Sequence, residues 1–347
     1  MAFVLSEEQT MLRDMAKQFF SEQVPVTNLR KLRDDESDDG FDRDVWKQIV
    51  ELGFAGILIP EDLGGTGFGP MGIGIVMQEA GRTLAASPLY STAILGAGMI
   101  MAAGSESQKK DLLPQVAAGE LLLALAIDEA NHHNPLNIAM TATKDGGDFV
   151  LNGEKRFVID GHTADKLIVA ARTSGTSGDA QGISTFLVDA DTAGVSITRT
   201  LMVDTRNAAN IAFDNVKIPA DALLGGLDAA YPELENVLDM GRVCLSAEML
   251  GGIETVFDTT LTYLKERKQF DAIIGTFQAL QHRAAEMFCE VEICQSVVLD
   301  ALSALEERRN DIPRAASLAK ARLSEASRLI TNEGVQMHGG IGMTDAV

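Results

Sequence analysis

The chain has 347 residues, 46% hydrophobic and 23% charged, which supplies a sizeable core and, at ordinary domain sizes, two or three domains. Its 29 basic residues face 50 acidic ones, a formal net charge of −21. A nucleic-acid or anionic-membrane surface needs clustered Lys and Arg, so both are excluded as partners, and any anionic ligand must be held by a few local cations and backbone N–H groups.

The N-terminal stretch is amphipathic and acid-containing. It lacks the basic start and continuous apolar core of a signal peptide. No run reads as a membrane span, since the longest uncharged one, Thr83 to Ser105, is broken by Ser87, Pro88 and glycines. The three cysteines, Cys244, Cys289 and Cys294, form no disulfide framework or CxxC pair. These features predict a cytoplasmic protein.

From Ser6 to about Gly119 the chain reads as helices joined by Gly and Pro turns. Ser6 is an N-cap followed by acids, and Met11, Leu12, Met15, Phe19 and Phe20 recur at helical spacing. Further helices are predicted over 42–52, 72–84, 92–103 and 107–118. From about Leu121 to Ile218 the pattern turns to short β-branched or apolar runs: 121–127, 149–151, 167–170, 185–188, 195–198 and 211–213. Turn residues such as Asp145–Gly146–Gly147–Asp148 separate them. Long helical periods then return over 237–267, 278–308 and 313–335. The expectation is an α+β fold: an N-terminal helical domain over 1–120, a central β-barrel or sandwich over 121–230, and a C-terminal helical bundle over 231–347.

Gly67–Phe68–Gly69–Pro70–Met71–Gly72 matches the letters GxGxxG, but no strand leads directly into it and no acid follows about twenty residues on. It reads as a glycine-rich turn between helices. His132–His133 is an adjacent pair, which on a strand points to opposite faces and chelates poorly, so no metal is expected. There is no GxSxG and no cysteine with an evident histidine partner.

The most specific patterns lie near the C-terminus. Arg267 is followed by an aromatic three residues on, Phe270, and a glutamine eleven residues on, Gln278. A second cluster reads Gln336–Met337–His338–Gly339–Gly340–Ile341–Gly342. Together they resemble the two flavin-edge signatures of the acyl-CoA dehydrogenase family. Pro60–Glu61 with Gly64–Gly65, Leu151–Asn152–Gly153 with Lys155, and Phe213 to Pro219 resemble the family's other segments, in order along nearly the whole chain. One departure is Asp271, where the family usually has Gly.

The resemblance implies FAD as cofactor and α,β-dehydrogenation of an acyl-CoA thioester, with electron-transfer flavoprotein as acceptor and fatty acid or sterol catabolism as setting. It also implies a homo- or hetero-oligomer in which Arg267 reaches a neighbouring subunit's flavin through a bidentate guanidinium. Phe270, Gln278, Gln336, Met337, His338, Gly339 and Gly340 would complete that edge, with glycine allowing close backbone approach. Phe157 and Ile159 stand where the family presents a Trp-Ile-Thr flavin contact, and Phe157 could still pack on a ring. Arg242 is the expected substrate-binding residue.

The reaction needs a desolvated carboxylate as base. Some members place it immediately before an Arg on the helix preceding the Arg267 motif; the matching pair is Gly241–Arg242. Others carry it some twenty residues beyond the Gly pair, whereas the sequence given ends at Val347, seven residues after Gly340. The catalytic residue is therefore unknown from sequence. Asp239, Glu248 and Glu254, on the same helix, read as structural or solvated acids. The segment Ile127 to Pro135 departs from the family's [ST]EPxxGSD, and Ile159 has no hydroxyl. These departures look like the smaller subunits of heteromeric enzymes, the pimeloyl-CoA dehydrogenase small-subunit type. The alternative is a catalytically silent partner subunit, and a chain truncated after Val347 is a further option.

Overall fold

The computed structural model describes residues 5–344. The truncation question at Val347 falls outside them. The elements run as expected, helices, then strands, then helices. In order they are α1 (Glu7–Gln23), α2 (Val26–Asp34), α3 (Arg43–Glu51), α4 (Gly69–Arg82), a π-helix (Leu89–Gly96), α5 (Ala97–Ala103) and α6 (Glu106–Ala117). Strands β1 (Leu123–Ala126), β2 (Thr141–Asp145), β3 (Asp148–Ile159), β4 (Lys166–Arg172), β5 (Ile183–Asp189), β6 (Val195–Leu201), β7 (Asn207–Ile218) and β8 (Leu223–Leu224) follow. The last part is α7 (Tyr231–Glu266), a hairpin of β9 (Lys268–Gln269) and β10 (Ala272–Ile273), α8 (Gln278–Glu306) and α9 (Ile312–His338).

The chain divides into two compact units. One contains residues 5–26, 70–85 and 242–344. Its α1 starts on a capping box, Ser6 Oγ accepting from Gln9 N at 3.1 Å and Gln9 Oε1 accepting from Ser6 N at 2.9 Å. The helix buries Leu12, Ala16, Phe19 and Phe20, while Met11 and Met15 face outward because they fall off that stripe. Helices α4 and α7 meet backbone to backbone. A Cβ on Gly81 would stand 1.9 Å from Glu248 O, and one on Gly251 would stand 1.8 Å from Gln78 O, so only glycine permits the approach. Helices α8 and α9 pack together through Met287, Val291, Cys294, Ala319, Leu323 and Ile330, with ion pairs Arg283–Glu333 and Arg322–Glu290 across them.

The other unit contains residues 27–69 and 86–241. The central strands, expected as a barrel or sandwich, form one eight-stranded sheet in the order β6-β7-β3-β2-β4-β5-β8, with β1 parallel to β4. Its core is built on Leu151, Leu167, Val169, Phe186, Ile211 and Val216, with the rings of Phe149 and Phe186 5.0 Å apart. The π-helix is tied to this sheet. Thr92 Oγ1 donates to Leu123 O at 3.2 Å and accepts from Leu123 N at 3.0 Å, and Ser91 Oγ donates to Asp160 at 2.6 Å. Arg172 donates to the carbonyls of Ile138, Asp179 and Gln181, so that buried arginine holds loops rather than a ligand. The GxGxxG look-alike is a turn in which Gly67 and Gly69 take positive φ and Gly69 opens α4.

Candidate active site and cofactor edge

In the helical unit, α7 ends just before Arg267. Its N–H closes the helix on Tyr263 O at 2.9 Å, and its carbonyl accepts from Ile274 N at 2.9 Å, which fastens the hairpin to the helix end. The hairpin turn is Phe270–Asp271, with φ of 55° and 57°. Two consecutive left-handed residues between paired strands match the twist of a two-residue hairpin. That explains why a glycine suits position 271, and Asp is among the side chains that best tolerate the conformation. Phe270 is 90% exposed, with its ring 6.3 Å from that of Phe277 in an edge-on arrangement. Gly275 follows in a close approach, since a Cβ there would stand 2.7 Å from Leu264 O.

Arg267 and Gln278 are both exposed, and the Arg267 guanidinium makes no hydrogen bond or ion pair with any described residue. At the other end of the edge, α9 finishes at His338. His338 is buried, its Nδ1 2.7 Å from Gly334 O and its ring 4.4 Å from that of Tyr263. Met337 is buried beside it, so the side chains of Met337 and His338 are packed within this chain, whereas Gln336, Gly339 and Gly340 face outward. Gly339 adopts φ 62° and ψ −137°, and among the described residues no atom beyond the immediate chain neighbours lies within 4 Å of a Cβ built on Gly339 or Gly340. The structure thus brings the Arg267 and Gly339–Gly340 segments into one unit, linked through the Tyr263–His338 ring pair. This edge offers a guanidinium fork, an exposed aromatic and uncovered backbone, which fits a dinucleotide's pyrophosphate.

In the sheet-containing unit, Phe157 and Ile159 lie two residues apart on β3, 42% and 41% exposed. A register shift between Lys155 and Val158 marks a bulge there, with Phe157 at φ 51° and its N–H donating to Asn210 Oδ1 at 3.2 Å. The bulge sets the two apolar side chains outward. Beneath it Lys155 is wholly buried, donating to Ile127 O at 2.9 Å and Glu129 Oε1 at 2.7 Å. Burial pulls its ammonium down to about 8 against the pull of Glu129. Glu129 accepts from Ala139 N at 2.8 Å and Met140 N at 3.1 Å, and Asp128 binds His133 Nδ1 at 2.9 Å and Asn134 N at 3.0 Å. Where the sequence suggested only a departure from family pattern, the segment is held by its own carboxylates. This face supplies ring-packing surface but no hydroxyl at 159, so it fits a flavin less well than the arginine edge does.

Gly241 is the last residue of this unit. A Cβ there would stand 2.8 Å from Leu95 Cδ2 and 3.0 Å from Tyr90 Oη, so the π-helix fills the place a side chain would take. The next residue, Arg242, is half-buried, and its carbonyl accepts from Ser246 Oγ at 2.7 Å. Glu254 is engaged by Gln78 and Arg82, the role of a structural acid. Asp239 and Glu248 are buried. Among the described residues no three His, Cys, Asp or Glu side chains converge as a metal set, and no helix is long and apolar enough to cross a membrane. Burial pushes the Cys244 thiol up to about 12 and the Cys294 thiol to about 11.

Residues 6–120 match the acyl-CoA dehydrogenase N-terminal domain, 125–216 the middle domain and 233–347 the C-terminal domain. The probable acyl-CoA dehydrogenase YngJ of Bacillus subtilis (strain 168) is 32% identical over 99% of this chain and 90% of its own. Butyryl-CoA dehydrogenase from Megasphaera elsdenii superposes with TM-score 0.91 at 26% identity, covering 100% of this chain and 92% of that one. A chain of the ChsE4-ChsE5 complex from Mycobacterium tuberculosis superposes with TM-score 0.89 at 25% identity, covering 99% and 90%. The chain belongs to the acyl-CoA dehydrogenase family, FAD-dependent oxidoreductases acting on CH–CH bonds.

Proposed function

We propose that this chain works as one subunit of an oligomeric acyl-CoA dehydrogenase and lends its Arg267 edge to the flavin of a neighbouring subunit. The observation that carries this reading is the exposed Arg267, whose guanidinium has no partner among the described residues, on the same unit as the exposed Gly339–Gly340 backbone. Arg267 would grip the pyrophosphate, Phe270 would cover the cofactor, Gln278 and Gln336 would bond its polar edges, and the glycines would admit it closely. Met337 and His338 would act by bracing that backbone from within. Arg242 would face the acyl-CoA, and Phe157 with Ile159 would pack against a ring. Bound FAD supplies the hydride acceptor; this chain's residues orient it and exclude water. Electron-transfer flavoprotein is the acceptor the family resemblance implies. The test is purification of the assembled native oligomer. Visible flavin absorbance, bleached by an acyl-CoA under anaerobic conditions, is the expected result. Protein that stays colourless with added FAD and with its co-purifying chains would overturn the reading.

A second reading is favoured by Gly241, Ile159 and the self-bonded Asp128–Glu129 segment. In it, this chain is the smaller, catalytically silent subunit of a heteromeric enzyme of the pimeloyl-CoA dehydrogenase type, acting on a fatty or sterol acyl group. It completes a sister chain's flavin site and leaves proton abstraction to that chain. Reduction of an artificial acceptor by this chain alone with an acyl-CoA would sink it.

A further inference from the structure

We propose that a partly open cavity in the helical unit, lined by none of the cofactor-edge residues, is a binding site for a small primary alkylammonium compound. The cavity measures about 380 Å³ and is walled by α1, α4, α7 and α8. That is the size range of small-molecule pockets. Its lining holds one bonded polar cluster, Gln78, Glu79, Arg82 and Glu254, beside Ile75, Leu250 and Leu302, which supply apolar wall. A ligand with one polar head and a short apolar tail fits that division.

The sign of the head follows from the polar end. Two carboxylates face one guanidinium, with Lys17 acting on Glu79 and with Asp258 and Glu292 acting on Glu254 from further off. Arg82 Nη2 pairs with Glu254, which also accepts from Gln78 Nε2 at 3.1 and 3.0 Å. Glu79 is served less well. It is only 3% exposed, its Oε2 has no hydrogen-bond partner, and Arg82 Nε stands 3.2 Å away without the alignment to donate. Arg13, at the rim, is matched by Asp14 at 3.1 Å. The end therefore carries an excess negative charge and a buried acceptor lacking a donor, a costly combination that a charge-assisted N–H donor relieves. An ammonium supplies both the charge and the donors, an alcohol supplies a donor alone, and a carboxylate supplies neither. Burial pushes both the Glu79 and Glu254 carboxyls up, toward their neutral forms, a shift that an ammonium partner would reverse. The backbone contacts at Gly81 and Gly251 fix the spacing of α4 and α7, two of its walls.

The experiment is calorimetric titration of the purified full-length assembly with n-hexylamine, n-hexanol and n-hexanoate at neutral pH. Hexylammonium is expected to bind, hexanol at least about tenfold more weakly, and hexanoate not at all. Glu79→Gln should weaken hexylammonium about tenfold or more while leaving hexanol within about threefold. Leu299→Trp, which fills the cavity from its half-buried rim, should abolish binding of both with unchanged melting temperature and flavin content. Equal binding of all three probes, no binding of hexylammonium, or indifference to both substitutions would overturn the proposal. Because probe binding is read by calorimetry and the dehydrogenase reading by flavin absorbance and its bleaching, failure here leaves the dehydrogenase reading standing, and the reverse holds too.

Discussion

The rings of Tyr263 and His338 lie 4.4 Å apart at an interplanar angle of 31°, joining the last turn of α7 to the last residue of α9. The hairpin bearing Phe270 leaves from one of these ends, and the Gly339–Gly340 pair leaves from the other. This aromatic contact, with the close packing of Gly334 on Val256 and Thr260, sets the spacing of the two sequence signatures. His338 is fixed on its other side by Gly334 O, so its ring is held at both the nitrogen and the face.

Removing that contact should loosen the edge before it unfolds the protein. Tyr263→Ala is expected to cost about 1–3 kcal/mol, the range for a half-buried ring that loses an aromatic partner. It should also lower bound flavin per chain. The check is the melting temperature alongside the ratio of visible to ultraviolet absorbance; a stability loss with full flavin retention would mean the contact does not hold the edge.

Arg267→Lys keeps the charge and loses the fork. The guanidinium has no partner among the described residues, so chain stability should change by no more than about 0.5 kcal/mol. Flavin affinity in the assembled protein should fall about tenfold or more. Equilibrium dialysis of flavin against denaturant melts of the same samples separates the two.

The paired glycines should respond differently to alanine. Gly339 sits in a conformation that side chains avoid, so Gly339→Ala should cost about 1–3 kcal/mol although space is open around it. Gly340 has no positive φ and the same open space, so Gly340→Ala should leave stability within about 0.5 kcal/mol. Both should impair flavin retention if a ligand approaches the backbone there. Thermal melts and flavin content, compared for the two variants, test each half.

Gly241→Glu would restore a carboxylate at the position that some family members use. Alone it should destabilise by about 1–3 kcal/mol, because its Cβ meets Leu95 and Tyr90. Combined with Leu95→Ala, which clears the nearer contact, it should regain stability and raise acyl-CoA-dependent flavin reduction above that of the parent. Stopped-flow bleaching under anaerobic conditions is the measurement.

Lys155 gives a pH signature. Its folded ammonium is pulled down to about 8, below the ordinary lysine value, so the unfolded chain binds more protons between those two points. Stability attributable to this group should therefore rise as pH increases from about 8 toward the ordinary lysine range, and be flat below. Comparing melts of the parent with Lys155→Met across that window isolates the contribution. A parent curve that falls relative to the variant would contradict the burial argument.

Much of the fold could be read from apolar spacing alone, because long helices such as α8 and α9 bury regular stripes and strands such as β4 are continuously apolar. What escaped had no such stripe. Helix α2 buries no residue, and β2 buries only Ala142 of Thr141–Asp145, so neither carried a hydrophobic period to find. The π-helix overlaps the start of the helix that apolar spacing predicts over 92–103, since its extra residue per turn leaves no mark in composition. At the site, Arg267 and the glycines were visible through motif spacing. The burial of His338 and Met337, and the bonding of Asp128 and Glu129 to their own loop, depend on tertiary neighbours that no local pattern announces.

An arginine that serves another chain's ligand makes cofactor retention a property of the assembly. On the proposed reading, binding and association are linked, and linkage is reciprocal. Whatever factor subunit contact adds to flavin affinity, flavin must add to subunit affinity. Dilution should then strip cofactor from intact, folded chains, and flavin starvation should release subunits. The exposed guanidinium of Arg267 would let the cell's flavin supply govern how much enzyme is assembled.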